Sequence, residues 1–392
     1  MNKYLKKLAL KIPYVKGYYE EIERYRSEIE RLNSEIERLR SAGIKYYSCW
    51  HIDNFNLRFL GRVDTDKKCM CFCCVSYVNF PHIAFSETAE ESVMNFAKLH
   101  ADIISESIKF SLLSGYIADK DRKFTSECAK CPHFQLNNWG GGGSIHAITL
   151  SIYPSPCQCK CIYCYDLKNM NVRQIDAESS EGYEKIFKII DLTKKNGMTA
   201  RDLLWVVQSG EITIHPFKER IFNLINDQVT HFFTNCFIFD EKIAKNLTVN
   251  KQSLLCFSVD SGTPETWYKV KGVNNFKTVM ENLEKYLVFG VQPEQLMLKY
   301  LILLGINDNL KDFRSIIGIM NRLEIGYMYI SRDNSIMRLL GGEQRESLIK
   351  AAGYLFAMLQ KNNITAEFTN YLQDEIEKIT AFADELLESG EV

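Results

Sequence analysis

The sequence lacks an excess of charge of either sign. Its 392 residues include 48 Lys and Arg and 49 Asp and Glu, which leaves a formal net charge of −1. A protein-wide basic field that gathers nucleic acid or anionic membrane is therefore excluded. A hydrophobic share of 46% with 25% charged residues is typical of a folded globular chain, and the length predicts two or three domains.

Long hydrophobic runs are also missing. The run Tyr300–Leu304 is far shorter than the roughly 18 residues that a membrane span requires. The first residues, MNKYLKKLALKI, are cationic like a signal peptide, but lysines interrupt the apolar stretch and no small-residue cleavage site follows. We therefore expect a cytoplasmic protein without a transmembrane segment. The early lysines predict either a peripheral contact with anionic lipid or a solvated face. They are Lys3, Lys6, Lys7, Lys11 and Lys16.

Cysteine, by contrast, is abundant. The chain has 13 cysteines, an odd number, and most of them fall in tight local clusters. In a chain without an export signal, this pattern argues against a disulfide framework and favours metal ligation or redox chemistry.

A heptad pattern occupies residues 15–39. Its apolar residues alternate in spacings of three and four, with Ile22, Ile29 and Ile36 at one seam position and Leu32 and Leu39 at the other. This choice of branched residues is typical of parallel two-stranded coiled coils. We expect a homodimer through residues 15–39, and the alternative is an amphipathic helix packed on its own domain.

After the glycine run Gly140–Gly143, β-rich apolar segments alternate with helical segments six times. This order predicts the α/β class: a partial (β/α)6 TIM-like barrel, preceded by a coiled-coil helix and an N-terminal cysteine-rich α+β module. Strands are predicted near 145–153, 203–208, 231–235, 254–260, 296–304 and 325–331, and helices near 179–195, 216–226, 240–247, 264–289, 309–322 and 343–361. The expected divisions are 1–42 (basic segment and coiled coil), 43–139 (cysteine-rich module), 140–144 (linker), 145–340 (barrel) and 341–392 (C-terminal helices).

Three cysteines follow the first predicted strand of the barrel. Cys157, Cys161 and Cys164 are separated by three and then two residues. A loop of this spacing offers three thiolates to an iron–sulfur cluster and leaves one iron open. It also offers four zinc ligands if Cys159 takes part. The loop by itself leaves both metals open.

Polar segments stand at the ends of the next four predicted strands. They are Ser209–Glu211, Thr234–Asn235, Ser258–Gly262 and Gly305–Asp308. Ligands of parallel sheets bind at this edge. Taken in order with the cysteine loop, the four segments resemble the radical SAM superfamily over about residues 145–335.

The resemblance implies a 4Fe-4S cluster on Cys157, Cys161 and Cys164, with its open iron chelated by S-adenosylmethionine (SAM). It implies one-electron cleavage of SAM to a 5'-deoxyadenosyl radical, which abstracts a hydrogen atom from the substrate, and a reductant such as flavodoxin or ferredoxin. Ser209 stands where the family has a glycine. The implied SAM contacts are Tyr163 on the adenine, Ser209, Gly210 and Glu211 at the methionine amino group, Ser258 and Asp260 on the ribose side, Lys299 at the methionine carboxylate, and Gly305 in the turn near the adenine.

The cysteine-rich module resembles the SPASM auxiliary-cluster module, although here it precedes the core. Cys128 and Cys131 form a two-ligand clip, and Cys49 with one cysteine of the 69–74 segment completes four ligands. The expected strand ligand is Cys73, with Cys74 and Cys71 as its alternatives. The resemblance implies a second, auxiliary 4Fe-4S cluster, and a structural zinc at the same four cysteines is the alternative.

The expected substrate rests on the domain architecture rather than on a motif. We expect oxidation or epimerisation of a sugar or another small polar molecule, in surface-glycan metabolism. A peptide-modifying maturase is the alternative within the family. An alternative of another class is a non-catalytic metal-binding scaffold that recruits partners through its coiled coil. Nucleic acid is disfavoured as a substrate because the core has no basic stripe with interleaved aromatic residues.

Overall fold

A computed structural model of the protein describes residues 46–62, 70–72, 82–114, 134–137, 139, 143–164, 174–208, 210–333 and 342–392, with single residues at 24, 27, 31, 34 and 38. The chain divides into two compact units. The first comprises residues 1–152 and 177–203, and the second residues 153–176 and 204–392. Within these described ranges, every helix is too short or too polar to cross a membrane.

The first unit is a mixture of short strands and helices. Its elements are β1 (Tyr46–Ser48), α1 (Trp50–Asp53), β2 (Leu57–Arg62), β3 (Met70–Cys71), β4 (His82–Ile83), α2 (Ala89–Ser114), β5 (Gln135–Asn137), β6 (Ile145–Tyr153) and α3 (Ala177–Lys195). Strand β1 pairs antiparallel with β5, and β6, β2, β3 and β4 are neighbours in that order. The core contains stacked aromatic rings, with His100 lying 3.8 Å from Phe55 between ring centroids.

The second unit is built on a parallel sheet. Strand β7 (Thr199–Val207) leads into it, followed by α4 (Lys218–Ile225), β8 (Thr230–Thr234), α5 (Glu241–Val249), β9 (Leu254–Ser258), α6 (Pro264–Lys271), α7 (Phe276–Phe289), β10 (Leu296–Ile302), α8 (Leu310–Arg322), β11 (Tyr327–Arg332), α9 (Gly342–Lys361), β12 (Thr365–Thr369) and α10 (Gln373–Ser389). Strands β7 to β12 are neighbours in chain order, and each neighbouring pair runs parallel. This arrangement confirms the predicted α/β class with a partial TIM-like barrel.

The two faces of this sheet have different surroundings. The ring of Tyr300 in β10 lies 5.9 Å from that of Phe313 in α8, and Phe368 in β12 lies 5.1 Å from Phe356 in α9. Helices therefore cover this face. Because successive side chains of a strand point to opposite faces, Lys299 points to the other face, which we call the inner face.

Two features of the second unit differ from the sequence prediction. The helix predicted near 264–289 is two helices, because Gly272 has a φ of 68° that ends α6 in the left-handed region. Strand β12, in the region predicted as C-terminal helices, was not predicted at all. Its sequence TAEFT is short and mostly polar, as suits an edge strand, and it lacks the apolar run that marks the other strands.

Several sequence predictions fall outside the described residues. Among the candidate ligands and contacts these are Cys73, Cys128, Cys131 and Ser209. Most of the heptad segment 15–39 is also outside them. The positions described there are helical and exposed, namely Arg24, Ser27, Arg31, Ser34 and Arg38.

Candidate active site

The loop with the three predicted cluster ligands is fastened to the end of α6. The backbone N–H of Lys160 donates to the carbonyl of Lys271 at 2.8 Å, and that of Ile162 donates to the carbonyl of Val270 at 3.0 Å. A Cβ on Gly272 would lie 2.9 Å from the Cβ of Lys160, so the absence of a side chain allows this close approach. Cys157, Cys161 and Cys164 are half-buried in the loop.

The loop also makes its own thiols acidic. The buried thiol of Cys159 hydrogen-bonds to the sulfurs of Cys157 and Cys161, which lowers the pKa of Cys157 and lowers the pKa of Cys161 to about 6. The same contacts, with burial, raise the pKa of Cys159. Cys159 thus keeps its proton and can donate its single S–H to one of these two sulfurs at a time.

The donor set of this loop fits an iron–sulfur cluster. Metals bind the thiolate form of cysteine, and the lowered pKa values favour this form. The side-chain N–H of Gln158 is also buried on the loop, without a hydrogen-bond partner among the described residues. In the part of the chain that the structure describes, no three Cys, His, Asp or Glu side chains are arranged to hold one metal ion. The loop therefore supplies the ligand types, while its sulfurs do not converge on one point in this structure.

Gly210 brings the end of β7 against the start of this loop. Its φ is 56°, and a Cβ there would lie 2.2 Å from Oγ of Ser155 and 2.7 Å from the carbonyl oxygen of Pro156. The next residue, Glu211, donates its backbone N–H to that same carbonyl at 2.7 Å. Only glycine fits between the strand end and the loop.

The carboxylate of Glu211 ties β7 to β8. It is fully buried, and burial raises its pKa. It accepts hydrogen bonds from Oγ1 of Thr213 at 3.0 Å, from Oγ1 of Thr234 at 2.9 Å and from the backbone N–H of Asn235 at 2.7 Å. The side chain of Asn235 then donates to Oε1 of Gln158 at 3.0 Å and lies 3.7 Å from the sulfur of Cys157.

A second buried group fastens the other end of the loop. The ammonium group of Lys271 forms an ion pair with Asp260, and both side chains are almost fully buried. Lys271 also donates to the hydroxyl of Tyr163 at 2.9 Å, and that hydroxyl donates to Asp260. Burial opposes the charge of Lys271, but the carboxylate of Asp260 outweighs it and the pKa of Lys271 is raised. Burial and Asp260 raise the pKa of Tyr163, which remains a neutral donor.

Asp260 joins these groups to β10. Its φ of 53° is unusual for a residue other than glycine, and its Oδ1 accepts the backbone N–H of Leu301 at 2.7 Å. Buried Asn307 donates to the carbonyl of Asp260 at 2.8 Å and to that of Leu301 at 2.7 Å. Both carboxylate oxygens of Asp260 thus accept hydrogen bonds from the protein.

The remaining predicted contacts lie at the end of β9, in the middle of β10 and in the turn after β10. Ser258 and Lys299 are register partners at half-buried positions of β9 and β10. Gly305 has a φ of 75° in the turn after β10, and a Cβ there would meet no described atom within 4 Å. Sequence reasoning missed Lys271, and it included Asn307 only as part of the segment Gly305–Asp308 without a role of its own. The only sequence signal for Lys271 is its place at the end of the helix that follows Asp260.

Comparison with known proteins gives a family match for part of the chain. Residues 155–318 match the family described as Radical SAM superfamily. A comparison with curated proteins gives no match. Similar solved structures include Streptococcus suis SuiB bound to the precursor peptide SuiA, with 14% identity over 79% of this chain and 70% of that chain and a TM-score of 0.44.

Two further solved structures are similar to this chain. SuiB from Streptococcus suis bound to S-adenosylmethionine has 13% identity over 74% of this chain and 66% of that chain, with a TM-score of 0.41. A radical SAM methyltransferase from Sphaerobacter thermophilus has 11% identity over 55% of this chain and 64% of that chain, with a TM-score of 0.37.

Proposed function

We propose that this chain, whose residues 155–318 match the radical SAM family, is an enzyme that cleaves SAM reductively and abstracts a hydrogen atom from a small polar substrate. Oxidation or epimerisation of a sugar is the reaction that we favour. The family implies a 4Fe-4S cluster and SAM. The observation that carries the proposal is the double fastening of the cysteine loop, by the Glu211–Asn235 group at its start and by the Asp260–Lys271 group at its end.

Each residue of the loop then has a role. Cys157, Cys161 and Cys164 would hold the cluster, which when bound supplies one electron for the cleavage of SAM. Cys159 keeps its proton and donates its one hydrogen bond to the sulfur of Cys157 or to that of Cys161. Lys271 places a buried positive charge beside Cys161 and so favours its thiolate.

We assign the SAM contacts to the strand ends. Ser209, which lies outside the described residues, and Gly210 are proposed to meet the methionine amino group, with Glu211 fixing their backbone. Ser258 and Lys299, neighbours on the inner face, are proposed for the ribose and the methionine carboxylate, and Gly305 for the adenine side. Asp260 contributes by holding β9 to β10, because its oxygens already have protein donors.

We also propose the auxiliary cluster on Cys49, Cys73, Cys128 and Cys131. Cys49 follows Ser48, which pairs with Gln135 in β5, a strand that begins four residues after Cys131 in the sequence. The side-chain N–H of Asn56 contacts Nδ1 of His51 and the carbonyl of Phe72, each at 3.0 Å. Asn56 thus links His51, two residues after Cys49, to Phe72, the residue before Cys73 in the sequence. These contacts support a site that combines Cys49 with Cys73.

Anaerobic reconstitution tests both clusters. We expect about eight irons per chain with an equal amount of sulfide, the electron paramagnetic resonance signal of a reduced 4Fe-4S cluster, and 5'-deoxyadenosine after addition of reductant and SAM. Cys161→Ala should lose about half of the iron and all of the product. Cys256→Ala, at a buried cysteine of β9 outside the loop, is the control and should keep its iron.

The other outcomes separate the alternatives. About four irons with product would keep the enzyme and assign the N-terminal cysteines to zinc or to no metal. Zinc without sulfide and without product would contradict the proposal and favour the non-catalytic scaffold. A parallel dimer through residues 15–39 remains a proposal, and deletion of residues 1–42 should abolish it in a sedimentation experiment.

A further inference from the structure

The inner face of the sheet carries a polar row across its last three strands. Lys299 in β10 is the register partner of Tyr329 in β11, and Tyr329 is the register partner of Glu367 in β12. Register partners on neighbouring strands, which lie about 4.8 Å apart, share one face of the sheet. The hydroxyl of Tyr327 donates to Oε2 of Glu367 at 2.5 Å, which places Tyr327 on this face too.

This row is open to a ligand. Lys299, Tyr327 and Tyr329 are half-buried, and Glu367 is exposed. The rings of Tyr327 and Tyr329 meet edge to face with centroids 5.7 Å apart. Within the part of the chain that the structure describes, only Oε2 of Glu367 accepts a hydrogen bond, so Oε1 is left for another donor.

Both tyrosines are neutral at ordinary pH. Burial, with the carboxylate of Glu367, raises the pKa of Tyr329 to about 12 and raises the pKa of Tyr327 as well. The row therefore presents two uncharged phenol rings beside one carboxylate acceptor. Aromatic faces pack against C–H groups, and a carboxylate at the edge accepts hydrogen bonds from polar groups of the same ligand.

We propose that Tyr327, Tyr329 and Glu367 form the substrate-recognition surface of the barrel and bind a ligand that presents hydrogen-bond donors to Glu367. Such donors are the hydroxyl groups of a sugar or the ammonium group of an amine. The proposal rests on the proposed function and names the substrate class for its site. Because β12 lies beyond residues 155–318, Glu367 comes from a strand outside the matched domain.

The position of Lys299 agrees with this assignment. It lies beside Tyr329 in the row, and we have proposed it for the methionine carboxylate of SAM. The row would then run from SAM at β10 to the substrate at β11 and β12, within about 10 Å across two strand spacings.

Binding of four small probes to the reconstituted full chain tests the proposal. We would use saturation-transfer NMR and calorimetry with glucose, glucosamine, putrescine and glucuronate. Glu367→Gln keeps an acceptor for Tyr327 but removes the charge, and Tyr329→Phe removes one hydroxyl. Glu385→Gln, at an exposed position of α10, is the matched control. Circular dichroism would check that each variant is folded.

The expected result is that glucose or glucosamine binds the wild type and the control equally, and binds Glu367→Gln about tenfold more weakly. Weakening for glucose as well as glucosamine would identify hydroxyl donors, whereas binding of only glucosamine and putrescine would identify an ammonium group. Equal binding to all variants, no binding of any probe, or preferred binding of glucuronate would overturn the proposal. Formation of 5'-deoxyadenosine by the wild type, measured separately, shows whether the proposed function itself holds.

Discussion

The start of the cysteine loop and its end are held by different kinds of interaction. At the start, Gly210 allows a close approach of two backbones, and Glu211 and Asn235 connect the strand ends through hydrogen bonds. At the end, a buried ion pair between Lys271 and Asp260 carries the contact to Tyr163. The first region depends on shape and hydrogen-bond geometry, and the second on charge compensation.

This difference predicts different weaknesses. A buried charge that loses its partner is strongly destabilising, whereas a hydrogen bond that loses one partner costs about 1–3 kcal/mol. At the start of the loop, the loss of one hydrogen-bonding side chain should therefore destabilise the protein less than a Cβ added at Gly210. At the end of the loop, a change in side-chain shape should destabilise the protein less than the loss of the charge of Lys271 or Asp260.

Lys271→Met is expected to have the largest effect. It leaves the carboxylate of Asp260 buried without its cation, which costs about 3–5 kcal/mol of unfolding free energy. Urea unfolding followed by circular dichroism measures this cost, and iron retained after reconstitution measures the effect on the loop. The control is Lys269→Met, on the exposed side of the same helix.

A double variant sharpens this test. Asp260→Asn with Lys271→Met removes both charges and should recover part of the loss, because the coupled pair is removed together. If Lys271→Met were no more destabilising than Lys269→Met, the ion pair would not hold the end of the loop.

Gly210→Ala is expected to cause the next largest loss of unfolding free energy. The new Cβ would lie 2.2 Å from Oγ of Ser155, at a residue with a φ of 56°, and strain with overpacking costs about 3 kcal/mol. Gly197→Ala is a matched control, because Gly197 has a φ of 67° but nothing lies within 4 Å of the added atom. It should cost about 1 kcal/mol. Equal unfolding free energies for the two variants would show that the close approach is not what requires glycine.

The sequence predicted one of these two regions better than the other. The cysteine loop and Ser209–Glu211 are continuous segments at strand ends, so their chemistry can be found from residue order. Lys271 acts through the fold: it reaches Tyr163 and Asp260 only because α6 ends at Gly272 and turns back to the loop. The helical periodicity of residues 264–289 does not reveal that the first helix ends at Gly272.

The inner face shows the same limit. Ser258 and Lys299 were found from the sequence as separate candidates, and their pairing appears only in the register of β9 and β10. Glu367 had no signal, because β12 is an edge strand whose polar residues resemble a loop. Tertiary pairing with β11, rather than local preference, makes that segment a strand.

Acid should lower the unfolding free energy of the protein through His215. His215, just after Glu211, accepts the backbone N–H of Phe217 at its Nδ1 at 3.1 Å, and burial lowers its pKa to about 4. A folded pKa below the unfolded value of about 6.5 means that the unfolded state binds the proton first. His215 then contributes up to about 3 kcal/mol above pH 6.5, and this contribution is lost as the pH falls from 6.5 to 4.

Unfolding free energies between pH 4 and 7 measure this effect. His215→Asn keeps an acceptor for Phe217 and removes the titration, so its curve should be flatter than that of the wild type over this window. A wild-type slope that is unchanged in the variant would assign the acid sensitivity to other groups, such as buried His100, whose pKa is also lowered to about 4.

Asn235→Ala should have the smallest effect on stability and the most local effect on the loop. It removes the donor to Gln158 and Cys157, at a cost of about 1–2 kcal/mol. Asn282→Ala is the matched control, because Asn282 donates to the carbonyls of Cys236 and Phe237 at the same strand end without touching the loop. Both variants should lose similar unfolding free energy, but only Asn235→Ala should retain less iron. If the two variants retained equal iron, the start of the loop would be held by the Gly210 approach alone, and the side-chain hydrogen bonds would serve only to join β7 and β8.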